Sequence, residues 1–174
     1  MDRLTALLVA ARSGDDDALA AAIRTAQPDV RRFLRPLVDP AELDDAVQDT
    51  FVRAYRALRR FRAEASGRTW LLSIARRVAV DATRRATRER RLRTRVELHR
   101  VIDLTGHPGD EYALADLIGH LEPGRREAFV LTQLVGCAYD EAAEICGVPV
   151  GTIRSRVARA REQLLHEVQA ARTA

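Results

Sequence analysis

Lysine is absent from this chain, and cysteine and the aromatics are scarce: two Cys, one Trp, three Tyr and four Phe in 174 residues. Cys137 and Cys146 stand nine residues apart. That spacing is neither a CxxC redox motif nor a zinc-ligand pattern, so both read as small core residues of a reducing cytosol. The histidines (His99, His107, His120 and His166) are scattered and form no HExxH. With aromatics at only 5% and hydrophobic residues at 47%, the cores must be built from Ala, Leu, Val and Ile. Such cores suit small helical bundles better than a β-sandwich and exclude disorder throughout. No signal-peptide pattern and no apolar run of about 18 residues is present, so the expectation is a cytoplasmic protein without membrane insertion.

What the chain does have is arginine. All 29 basic residues are Arg, whose planar fork pairs with phosphates and guanine edges; a GC-rich genome explains an Arg-only set equally well. Residues 1–67 balance 11 Arg with 11 acids, whereas 68–100 carry 11 Arg against 3 acids, a net of +8. Residues 101–147 swing to −7 and 148–174 return to +3. Two basic blocks around an acidic one suggest two DNA-facing surfaces.

Nearly every segment shows helical periodicity and none alternates as a strand does. A first helix is predicted over Leu4 to Arg12 and a second after the Asp15–Asp17 cap, with Pro28 in the first turn of a restarted helix. Residues 42–60 carry a core stripe of Leu43, Val47, Thr50, Ala54 and Leu58, with Asp45, Gln48, Asp49 and Val52 on another face. A loop at 61–68 leads into a helix from Thr69 to about Leu92 with Leu71, Ile74, Ala75, Val78 and Ala82 as its apolar positions. Periodicity then lapses over 93–110, which ends in Thr105-Gly106-His107-Pro108-Gly109 and is the candidate linker. A second helical group follows at about 111–121, 124–135, 138–146 and 150–168. The predicted fold is all-α: two small helical domains, 1–92 and 111–174, joined by the 93–110 linker.

The last two helices read as a helix-turn-helix. Ala142 and Ala143 permit a close crossing, Gly147 suits a left-handed turn, Val148 fills the wedge and Pro149 opens the next helix. Ile153, Val157, Ala160 and Leu164 make its buried stripe, which leaves Thr152, Arg154, Ser155, Arg156 and Arg159 to face the major groove. A helical hairpin with a charged exposed face is the alternative. The run Val148-Pro149-Val150-Gly151-Thr152-Ile153-Arg154-Ser155-Arg156-Val157-Ala158-Arg159-Ala160-Arg161 closely resembles region 4 of extracytoplasmic-function sigma factors of the sigma-70 family. Leu121-Glu122-Pro123-Gly124-Arg125-Arg126-Glu127-Ala128-Phe129 resembles the opening of that region. The resemblance implies recognition of the −35 promoter element by Thr152, Arg154, Ser155, Arg156 and Arg159.

Asp44-Asp45-Ala46-Val47-Gln48-Asp49-Thr50-Phe51-Val52-Arg53-Ala54-Tyr55 resembles region 2.2, which implies docking through Asp45, Gln48, Asp49 and Val52 on the clamp helices of the largest polymerase subunit. Arg68-Thr69-Trp70-Leu71-Leu72-Ser73-Ile74-Ala75-Arg76-Arg77, with Asp81, Arg84 and Arg85 beyond, resembles regions 2.3 and 2.4. It implies that this helix and the loop before it open the −10 element and hold an extruded base: Arg68, Arg76, Arg77, Arg84 and Arg85 as the basic groove, Phe61 and the 62–67 loop as the base pocket. Trp70 either lines the melted junction or is core. Three positions depart from the family pattern: Asp49 where Glu is commoner, Gly67 where a larger residue is common, and Arg77 where many members have Asn. The role therefore carries over but the −10 base preference does not.

The order of the motifs leaves no room for region 1.1 or a folded region 3. The resemblance also implies contact with the polymerase flap region, promoter DNA as ligand and an anti-sigma factor as partner. No nucleophile–base or metal constellation is visible, so neither enzymatic activity nor a cofactor or metal is expected. Two other classes fit parts of the chain: a repressor or activator acting without polymerase, and an antagonist that sequesters polymerase without melting DNA.

Overall fold

The computed structural model describes residues 1–94 and 117–173, with side chains described through 88 and from 117 to 170. All regular elements among them are helical. Helix α1 spans Arg3–Arg12, α2 Asp16–Leu34, α3 Leu43–Ala57 and α4 Gly67–Thr94; short 3₁₀ turns at Pro40–Glu42 and Leu58–Arg60 flank α3. Beyond the undescribed stretch come α5 at Pro123–Phe129, a π-turn at Val130–Leu134, α6 at Tyr139–Cys146 and α7 at Val150–Thr173. All but the first two residues of the predicted linker lie outside the described residues, and those two continue α4.

Local chemistry sets the helix starts. Asp2 caps α1 by accepting from the Thr5 amide at 3.0 Å, and Asp15 caps α2 by accepting from that of Ala18 at 2.8 Å. The Ser66 hydroxyl accepts from the Thr69 amide at 3.1 Å and so caps α4. Pro28 corrects an expectation. It lies inside an uninterrupted α2 rather than opening a new helix. A mid-helix proline forfeits one backbone hydrogen bond. Here the ring is exposed, while Ala22, Ala26 and Val30 carry the buried stripe across it at four-residue spacing. Tertiary packing thereby outweighs the local defect.

Helix α4 is the centre of the molecule because both its flanks are covered. Leu71 and Ile74 join Leu4, Leu8, Ala22, Ala54, Leu58 and Phe61 in one cluster. Leu72, Ala75, Val78 and Ala79 join a second, which runs from Val30, Phe33 and Leu34 of α2 to Ile118, Leu131, Ala142, Ile145 and Ile153. The second helical group therefore packs directly on α4. Burying a Leu or Val side chain stabilises by roughly 1.5–3 kcal/mol, so this shared cluster is a substantial bond between the two halves.

The α6–α7 corner follows from its sequence. Glu141 accepts from the Ala138 amide at 3.0 Å at the start of α6. Gly147 ends it at φ 66°, ψ 39°, in the left-handed region that suits glycine. The Val148 amide then donates to the Ala143 carbonyl at 3.1 Å, turning the chain into α7. Ile153, Val157 and Ala160 are buried against α5 and α6, with Leu164 partly so.

Candidate nucleic-acid and polymerase interfaces

On α3 the stripe of Val47, Thr50 and Ala54 is buried, and Leu58 continues it just beyond the helix. The opposite side presents Asp45 and Gln48, both exposed, with Val52 at 39% exposure. Asp49 lies beside them but is engaged: Arg53 donates to it through Nε at 3.1 Å and Nη2 at 2.9 Å, and reaches Asp81 of α4 through Nη1 at 2.7 Å. That hydrogen bond to Arg53 holds the Asp81 carboxyl below the usual carboxylate range. Tyr55, 64% exposed, extends the same face. Sequence reasoning passed over it, although it follows Val52 by one helical turn.

The 61–66 loop and α4 carry the residues predicted for the −10 strand, and the structure divides them. Arg77, Arg84 and Arg85 are exposed. Arg68 is not: its Nε donates to Asp29 at 2.7 Å and its Nη2 to the Val135 carbonyl. Arg76 likewise donates through Nε to Glu127 of α5 at 2.9 Å. Both arginines therefore link α4 to the second helical group. Asp29 and Glu127 were missed as their partners because they stand 39 and 51 residues away.

Phe61 corrects another expectation. It is 3% exposed, with its ring 4.8 Å from that of Trp70 in a tilted contact, so it fills the core and offers no face to a base. The reason is its position: the 3₁₀ turn after α3 directs it inward beneath α1. Trp70 is half-buried on the same cluster. Gly67 has a physical reason for its departure from the family pattern. A Cβ there would stand 2.8 Å from Leu8 Cδ1 and 3.1 Å from the Thr5 backbone nitrogen, so α1 approaches where a side chain would otherwise be.

On α7, Arg154, Ser155 and Arg159 are exposed and Thr152 is half-buried. The Ser155 hydroxyl donates to the Thr152 carbonyl at 3.0 Å. Arg156 turns away from the others. Its guanidinium carbon would be 3.0 Å from a Cβ on Gly124, at the start of α5. There Glu122 accepts from the amides of Gly124 and Arg125 at 3.1 and 3.2 Å. Those backbone bonds, and more weakly Arg156, hold the Glu122 carboxyl below its ordinary range. Sequence spacing alone cannot distinguish Arg156 from Arg154, because the difference lies in what α5 presents to it.

Both cysteines lie at the junction with α4. Cys137 is 5% and Cys146 6% exposed, and burial pushes both thiols up to about 11. Among the described residues no group of His, Cys, Asp and Glu is placed to hold a metal ion, and no helix is long and apolar enough to cross a membrane.

With this geometry in view, the comparisons are specific. Residues 22–89 match the family described as sigma-70 region 2, and residues 112–164 match sigma-70, region 4. The ECF RNA polymerase sigma factor SigC of Mycobacterium tuberculosis is 43% identical over 171 residues, spanning 97% of this chain and 92% of the relative. CnrH, solved in complex with the cytosolic domain of CnrY, superposes with a TM-score of 0.79 at 29% identity, covering 97% of this chain and 99% of that one. RpoE of Bartonella quintana, solved with the anti-sigma factor NepR, gives 0.74 at 29% identity over 86% and 96% of the two chains. Helices with outward arginines, an acidic α3 face and matches to both regions lead to one assignment: the chain belongs to the sigma-70 family, as an extracytoplasmic-function RNA polymerase sigma factor, whose role is to direct transcription initiation.

Proposed function

We propose that this sigma factor works through three surfaces. The α3 face with Asp45, Gln48, Asp49 and Val52 docks on the clamp helices of core polymerase. The first turns of α7 read −35 duplex DNA through Thr152, Arg154, Ser155 and Arg159, with Arg156 able to join once it leaves Gly124. The 61–66 loop and α4 take the melted −10 strand, first through Arg77, Arg84 and Arg85. Arg76 joins when Glu127 leaves with the second helical group, and Arg68 once it has parted from Asp29 as well as from the Val135 carbonyl. Unpairing a base costs a few kcal/mol, and capture of the extruded base and its strand is what offsets it. The reading therefore assigns no catalytic step to this chain.

The observation that carries the reading is the outward set on α7. Ile153, Val157 and Ala160 are buried beneath it, while Arg154, Ser155 and Arg159 stand exposed at the helix's N-terminal end. The reading includes an anti-sigma partner, since a similar structure is that of RpoE with NepR. The test is run-off transcription by core polymerase on a genomic promoter library, with the wild-type chain beside an Asp45→Ala/Gln48→Ala/Asp49→Ala variant. Discrete start sites that vanish with the variant are expected. An absence of start sites with several core polymerases, together with tight binding of the free chain to duplex DNA, would instead identify a conventional regulator.

A further inference from the structure

Helix α1 lies outside the residues matched to region 2, which begin at 22, yet it grips both ends of the 61–66 loop. At the loop's start, Arg12 Nη1 donates to the Phe61 carbonyl at 2.7 Å. At its end, the Gly67 amide donates to Thr5 Oγ1 at 2.7 Å in a buried setting. The Thr5 hydroxyl in turn donates to the Asp2 carboxylate. This uses its one proton and leaves its lone pairs for Gly67, and the charge behind it strengthens the acceptor. The second grip exists because residue 67 is glycine, whose missing Cβ makes room for Thr5 and Leu8.

Between the two grips the backbone is strained. Ala63 sits at φ 56°, a left-handed conformation that a residue with a Cβ keeps only where its surroundings over-determine it. The side chains on either side of it, Arg62 and Glu64, point outward at 80% and 79% exposure. Arg62 and Glu64 pair with each other at 3.8 Å across it. A loop fixed at both ends, strained in the middle and exposed on its outer side is built to hold one shape against a ligand.

We propose that α1 is a positioning element for −10 recognition, with Thr5 and Arg12 fixing the ends of the loop that receives the extruded base. This rests on the −10 assignment above and deepens it. Discrimination between bases needs a pocket held to about 0.5 Å. Freeing the Gly67 amide strands a buried donor and makes the loop move. Thr5 and Arg12 touch no DNA; they act through the loop.

The test uses holoenzyme assembled from core polymerase and the full chain, transcribing a promoter library randomised across the −10 element with the −35 element fixed. Thr5→Val removes the acceptor without changing shape, and Arg12→Met removes the donor at the other end. Each is expected to flatten the −10 base preference about tenfold, the scale of one lost hydrogen bond. Holoenzyme formation and −35 preference should stay at wild-type values, and Thr5→Ser should restore the preference. Should Thr5→Val fail to fold, Arg12→Met decides alone, since Arg12 is exposed. A uniform loss of transcription with the base preference intact would reduce α1 to scaffolding and overturn the proposal. So would an unchanged profile in these variants when Arg62→Ala/Glu64→Ala alters it, leaving the −10 assignment standing. If the loop variant leaves the profile unchanged as well, both the proposal and the −10 assignment fall.

Discussion

Replacing Glu127 by alanine is expected to loosen the second helical group from α4 without unfolding the first. Glu127 Oε2 lies 2.9 Å from Arg76 Nε, and the two side chains are only 12% and 29% exposed. Exposed ion pairs stabilise by about 0–1 kcal/mol and breaking a buried one costs about 3–5 kcal/mol. This pair is intermediate, so its loss is worth about 2 kcal/mol, a shift of roughly 30-fold in the packed-to-separated equilibrium.

Cys137 is the native reporter of that equilibrium. It is near enough to Arg68 for that charge to act on its thiol, whereas the Cys146 thiol feels Glu127 directly, ahead of Arg76. Burial pushes both up to about 11, so at pH 8 the packed state holds almost no thiolate. Separation returns them toward about 8.5, and alkylation proceeds through the open form. Where closing is fast, the rate follows the open population. Alkylation of Cys137 at pH 8 should therefore rise about 30-fold in Glu127→Ala, the factor set by the ion pair, with amide exchange in α1–α3 unchanged. Rates within a factor of about two of wild type would refute the reasoning. A parallel rise in exchange throughout α1–α3 would refute it too, because the pair would then be holding the whole fold and not this junction.

Two further outcomes follow from local geometry. Gly147→Ala meets no atom within 4 Å of the new Cβ but keeps φ at 66°. Its cost is backbone strain alone, about 1–2 kcal/mol by urea unfolding, and a loss outside that range would point to a steric cause. Asp81 is held below its usual value of 3.8 mainly by the hydrogen bond from Arg53. Its stabilisation is therefore full above about pH 4 and is lost as pH falls through its lower folded value. The side chain is 44% exposed, which limits the effect to under about 1 kcal/mol. Asp81→Asn and wild-type stability curves should differ at pH 7 and converge near pH 2; a constant offset would rule out the carboxylate as the cause.

Periodicity found the helices because most have one stripe that must be buried. The α7 stripe and the Gly147-Val148-Pro149 corner could be read directly, for glycine, a wedge residue and proline each have a local reason to stand there. The same logic fell short on α4. Leu72 and Ala79, at 1% and 3% exposure, lie outside the predicted stripe, since a one-stripe reading assumes one partner and this helix has two. Phe61 misled in a related way: an aromatic beside a basic loop suits a base pocket, and only the fold turns its ring beneath α1.

Charge was the least transferable signal, and the reason lies in what a segment's net charge omits. The +8 of residues 68–100 was read as one DNA-facing surface and the −7 of 101–147 as a separator. In the folded chain Glu127 of the acidic block neutralises Arg76 of the basic one, while Asp29, far upstream, takes Arg68. Complementary blocks along a sequence are thus also the signature of one half docking on the other. Among the described residues, Arg77, Arg84, Arg85 and Arg88 on α4 and Arg154 and Arg159 on α7 stay exposed in this packed form, with Asp81 the acid near Arg84 and Arg85. Counterion release on binding scales with the phosphates neutralised. The free chain therefore withholds Arg68 and Arg76 from DNA, and separation of the two halves would release Arg76 from Glu127 while Arg68 keeps Asp29 of α2.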